Sequence, residues 1–93
     1  MTTVTFHDAD GPGANAAFER WRRDHPEGFF LNFGSPSDMM VHRPDCPHYV
    51  FHEPRSLTSY KKVCADRFED LEAWAARQSS TPPSFCRTCS PRA

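Results

Sequence analysis

Two short clusters, His42-Arg43-Pro44-Asp45-Cys46 and Cys86-Arg87-Thr88-Cys89, constrain this chain more than anything else in it. Together they offer one imidazole and three thiolates, the set that closes a tetrahedral zinc site. Zinc is a borderline-soft ion that suits such ligands. A Cys-x-x-Cys turn lets two sulfurs converge while backbone N–H groups point at them. In the other cluster Pro44 stiffens the three-residue spacer. The 39 residues between Cys46 and Cys86 are too many for a finger. They suit a small domain whose two ends are tied together, with metal closing a long loop. His42, Cys46, Cys86 and Cys89 are therefore the expected ligands of a structural Zn2+. A Cys3His set leaves no open coordination position, so no catalytic residue and no enzyme activity are expected.

Size and composition favour such a staple. Ninety-three residues make one small domain, and the aliphatic supply is thin, with no Ile and only Val4, Val41, Val50, Val63, Leu31, Leu57 and Leu71. Eight Phe, two Trp and two Tyr must supply most of the core. Nine Pro and a mean hydropathy of −0.70 point to a loop-rich fold. Nothing at the N-terminus resembles a signal peptide and no stretch reaches the length of a membrane span, so a cytoplasmic chain with reduced cysteines is expected. Secretion by another route would allow two disulfides instead.

Helical spacing of Ala14, Ala17, Phe18 and Trp21 predicts a first helix ending near Asp24 or His25, before Pro26 and Gly28. Residues 1–12 read as a flexible polar lead, and 13–93 as the single zinc-binding domain. Phe29–Phe33 and Met39–His42 read as a hairpin around Gly34-Ser35-Pro36-Ser37. This puts His42 at a strand end. Residues 47–58 read as an irregular excursion, Ser59–Cys64 as a third strand, and Asp66 as the start of a second helix with Glu69 completing a weak capping box. Phe68, Leu71, Trp74 and Ala75 form that helix's apolar stripe. The expected fold class is α+β, a small zinc-stabilised domain of two helices and short antiparallel strands, closed by the C-terminal knuckle.

The remaining chemistry-bearing side chains have plainer readings. Cys64, beside Val63 at a strand end, is a small buried hydrophobe or a substitute ligand. His48 and His52 follow Cys46 closely enough for either to replace His42. His7 and His25 read as surface or loop residues, and Arg20, Arg22 and Arg23 as a solvated helix face. Trp21, Trp74 and the Phe29, Phe30 and Phe33 run read as core. Arg43 and Arg87, inside the knuckles, could offset the negative charge of three thiolates, and Asp45 could accept from Arg43.

The motif Phe30-x-Asn32, then Val41-His42-Arg43-Pro44-Asp45-Cys46-Pro47, a strand with Tyr60, a helix, and Cys86-Arg87-Thr88-Cys89-Ser90-Pro91 resembles the Ada-type metal-binding domain over about residues 29–91. Related zinc modules occur as appendages in bacterial nucleases and other proteins handling DNA. The resemblance implies a zinc-stapled α/β module in DNA-related surroundings. In the repair members of that group four Cys hold the zinc, and the first accepts a methyl group from a phosphotriester. Here the matching position is His42, and an imidazole cannot take over that transfer.

Charge permits phosphate contact without demanding it. The chain carries a net −1, split as −3 over residues 1–41 and +2 over 42–93. A strongly basic nucleic-acid binder is excluded, while phosphate contact remains open to the metal-bearing half. The expected function is a binding or accessory module; if it meets DNA, the surface is the basic edge of Arg43, Arg55, Lys61, Lys62, Arg67 and Arg87, which reads equally as a scatter of solubilising charges. The alternatives are a protein-interaction adaptor with purely structural zinc and an alkyl-accepting repair domain. The sequence leaves the oligomeric state open.

Overall fold

Alternation along one strand organises the molecule. The computed structural model describes residues 3–50 and 56–89. In strand β2 (Phe29–Ser35), Phe29, Leu31 and Phe33 turn to one face, and Phe30 to the other. Strand β3 (Asp38–His42) pairs antiparallel with it, setting Val41 opposite Leu31 and His42 opposite Phe30. Strand β4 (Lys61–Ala65) pairs antiparallel on the other side, setting Val63 opposite Leu31 and Cys64 opposite Phe30.

Two further strands complete a five-stranded sheet of order β1-β4-β2-β3-β5. β1 (Val4–Phe6) lies within the stretch read as a polar lead, paired antiparallel with β4. Its signal is only the apolar alternation Val4-Thr5-Phe6, too short to stand out without a partner strand. β5 (Ser84–Phe85) runs parallel to β3, not antiparallel as expected of every strand. The 3-10 turn Asp8–Asp10 is tied to a second turn, Leu57–Ser59, through the Asp8 carboxylate. That carboxylate accepts from Thr58 Oγ1 at 2.5 Å and Ser56 Oγ at 2.8 Å.

Helix α1 (Ala14–Asp24) packs Phe18 and Trp21 onto the face carrying Phe30 and Cys64. Gly13 precedes it with φ of 92°, a conformation that a side chain would strain. The one-turn helix α2 (Pro47–Val50) and the turn at 57–59 occupy part of the segment expected to be irregular. Helix α3 (Phe68–Gln78) covers the opposite face, setting Leu71 and Ala75 against Leu31, Val41 and Val63. The expected capping box does not form. Arg67 occupies the N-cap without a side-chain cap, and Asp66 instead accepts from His25 Nδ1 at 2.7 Å. His25 also stacks on Trp21 at 4.6 Å, so it helps join α1 to the start of α3.

Candidate metal centre

The sheet register delivers His42 to the edge of the α1 face, where its ring stacks on Phe30 at 5.1 Å and meets Tyr49 edge-on at 4.9 Å. The chain then turns through Arg43–Asp45, with the Cys46 N–H donating to the Arg43 carbonyl at 3.1 Å. Cys46 thereby folds back beside His42. From the other end of the chain, β5 alongside β3 carries Cys86 to the same place, and the Cys86 N–H donates to the Val41 carbonyl at 3.0 Å. The parallel pairing is thus what joins the two clusters.

One ligand atom from each of His42, Cys46, Cys86 and Cys89 lies within 4.8 Å of every other. Cys46 Sγ and Cys86 Sγ stand 3.8 Å apart. Two sulfurs bound tetrahedrally at about 2.3 Å would be separated by about 3.8 Å. All four cysteines are free thiols. His42 Nδ1 is buried and has no hydrogen-bond partner among the described residues. Such an orphaned nitrogen is costly unless something binds it. The donor set, the spacing and that nitrogen all fit a single metal ion at the centre of the cluster.

Electrostatics point the same way. Burial holds His42 well below the usual imidazole range, at about 4, with repulsion from His48 and Lys62 adding to the effect. The ring is therefore neutral at physiological pH, the form that ligates metal. Burial pushes the Cys46 thiol up to about 12 and raises Cys89 as well. Burial also works against the Cys86 thiolate, but the N–H groups of Cys89 and Thr88 and the neighbouring thiols outweigh it and pull its pKa down. A cation among the sulfurs favours all three thiolates.

The surrounding donors differ from the sequence expectation. Arg43 contributes its backbone N–H, which donates to Cys89 Sγ at 3.2 Å. Its guanidinium lies over the Phe29 ring at 5.3 Å, so it neither sits beside a sulfur nor pairs with Asp45. His48 is an outer partner, with Nδ1 3.9 Å from Cys86 Sγ and Nε2 3.4 Å from Thr88 Oγ1. Cys64 lies beyond Phe30 in the same cross-sheet row and is fully buried among Phe18, Trp21 and Leu57, outside the cluster. His52 falls outside the described residues.

Two arginine and lysine readings change. Lys62 is 2% exposed, and its ammonium donates to Asn32 Oδ1 at 2.7 Å and the Tyr60 carbonyl at 3.3 Å. It belongs to the interior of the α1 face and not to a basic edge. Lys61 lies over Phe33, at the opposite end of β2 from Phe29 and Arg43. Arg22 is no solvated residue either, as its side chain is 9% exposed. Its Nε donates to the Pro44 carbonyl at 2.8 Å, and Nη1 to the Tyr49 carbonyl at 3.0 Å and Glu19 Oε1 at 2.6 Å. Helix α1 is thereby pinned to the His42–Cys46 knuckle. Nothing in the sequence marked Arg22 out from Arg20 and Arg23.

No family model, curated protein or solved structure matches the chain. Among the described residues, no helix is long and apolar enough to cross a membrane.

Proposed function

We propose that the chain is a non-enzymatic zinc-binding module of Ada-like type, in which a structural Cys3His site holds together an accessory domain of DNA-related proteins. The observation that carries the reading is the convergence of His42, Cys46, Cys86 and Cys89 to within 4.8 Å. Thiolate and imidazole ligands favour zinc over harder ions, and four protein ligands leave no position for substrate. DNA contact is supported by an aromatic and guanidinium array beside the knuckle. Arg43 stacks on Phe29, Phe29 meets Phe68 edge-on, and Phe68 tilts against Phe85, the residue before Cys86. Arg67, next to Phe68 in sequence, and Arg87, two residues after Phe85, are exposed.

A protein-interaction adaptor is the second reading. Burial of Lys62 removes one charge from the basic edge, and Arg67 lies 3.7 Å from Glu69, which offsets another. Native mass spectrometry of protein purified without added metal tests the centre, with one zinc per chain expected. A metal-free chain with oxidised cysteines overturns it. A gel shift over a salt series then separates the readings. DNA affinity that falls steeply with salt supports phosphate contact, and no shift at low salt favours the adaptor.

A further inference from the structure

Beside the metal knuckle lies a cleft of about 340 Å³ walled on one side by Glu19, Arg22, Arg23 and Pro26 of α1 and its exit, and on the other by Pro44 and Asp45. We infer that this cleft binds a small organic carboxylate, held by the guanidinium groups of Arg22 and Arg23 with its apolar body between Pro26 and Pro44. The volume falls at the lower end of the range of small-molecule sites.

The case begins with Arg22. Its Nε and Nη1 are engaged by Pro44, Tyr49 and Glu19, while Nη2 meets no acceptor among the described residues. Arg22 lines the cleft, and its guanidinium, on a side chain 9% exposed, keeps two N–H donors without an acceptor among the described residues. Those three bonds also fix the plane of the fork, so little further ordering is needed to meet a ligand. Arg23, on the same wall, is exposed and makes no ion pair or hydrogen bond among the described residues.

Charge selects the ligand. Glu19 neutralises Arg22 at 2.6 Å, which leaves Arg23 and Asp45 as the charges of the cleft that are unpaired among the described residues. In a cleft of two cations and two carboxylates, one negative charge can lie against the guanidiniums with less repulsion from Glu19 and Asp45 than the two charges of a phosphate dianion. A planar carboxylate also matches a guanidinium fork in shape. The two prolines give an apolar slot for the remainder of the molecule. An amine elsewhere on the ligand would find Asp45 at the rim.

The inference goes beyond the zinc reading, although Pro44 and Asp45 belong to the metal knuckle. The test therefore uses the full chain as purified, with its metal content counted first by native mass spectrometry. Benzoate is titrated while the Arg22 Nε–Hε and Asp45 amide resonances are followed by NMR. Benzamide, of the same shape without the charge, and inorganic phosphate are titrated in parallel. Saturable benzoate shifts at both probes are expected, with benzamide about tenfold weaker, since a hydrogen bond to a charged group is lost. Arg23→Gln should weaken benzoate about threefold to tenfold, and Asp45→Asn should strengthen it, both through charge alone. Equal binding of benzamide, tighter binding of phosphate, or no shift up to about 10 mM benzoate overturns the inference. A chain that carries zinc yet ignores benzoate breaks this proposal alone, and a chain that binds benzoate without metal breaks only the zinc reading.

Discussion

On the α3 side of the sheet, Leu31, Val41, Val63, Leu71 and Ala75 meet as one aliphatic surface, sealed at its margin by Phe29, Phe33, Phe68 and Trp74. On the α1 side, Phe30 shares its face with His42 and Cys64, and Lys62 is buried nearby. That second layer buries Phe18, Trp21, Phe30 and Leu57 as a core of its own, and directed bonds surround it. Arg22 reaches Pro44 and Tyr49, Asn15 Oδ1 accepts from the Leu57 N–H at 2.7 Å, and Asp8 holds Ser56 and Thr58. The first face stands on area removed from water, which needs no particular partner. The second removes aromatic area from water as well, and adds hydrogen bonds and the knuckle, whose shape four ligands must hold. A chain poor in aliphatic residues can thus build one aliphatic core and one aromatic core, the second reinforced by polar contacts and, as proposed, an ion.

Metal removal should separate the two faces most sharply. Structural zinc contributes on the order of 10 kcal/mol to small metal domains, so chelation or Cys86→Ser should destabilise the zinc-loaded chain severely. Amide exchange should then rise first in α1 and residues 42–49, and later in β4 and α3. Uniform loss of protection would erase the distinction. Leu71→Ala, in the centre of the opposite face, should cost about 2–5 kcal/mol by denaturant unfolding while zinc stoichiometry stays at one per folded chain.

Acid should act through the α1 face. His42 is held at about 4 by burial, against an ordinary value of about 6.5, so the unfolded chain takes up its proton first. Stability should therefore fall as pH drops through 6.5 and level off below 4, a loss of about 3 kcal/mol from this group. Protonation of the thiolates would make the fall steeper in zinc-loaded protein. Urea midpoints that stay flat from pH 7 to 4 would contradict the burial of His42.

Arg22→Ala should cost about 1.5–3 kcal/mol, since it removes charged hydrogen bonds to two carbonyls, and should raise exchange in α1 without changing metal content. Cys64→Ala should be the mildest change, about 1 kcal/mol for one buried heavy atom. Loss of zinc from that variant would show that Cys64 is a ligand after all.

The amino-acid sequence by itself determined the local order of this protein. The spacing of Ala14, Ala17, Phe18 and Trp21 marks α1, Pro26 and Gly28 place its end near Asp24 or His25, and the hairpin carrying His42 follows from the apolar runs on either side of Gly34–Ser37. The four clustered side chains were legible too, because ligand types at short spacing have few other uses. Tertiary structure alone decided the rest. β1 and the two-residue β5 exist only because β4 and β3 offer them partners. Asp66 leaves its expected cap for His25, a residue 41 positions away. Arg22 and Lys62 look like surface residues by type, and only the packing of α1, α2 and the sheet puts their charges inside. Local periodicity is set by neighbours along the chain, but the burial of a long charged side chain depends on acceptors supplied from distant segments.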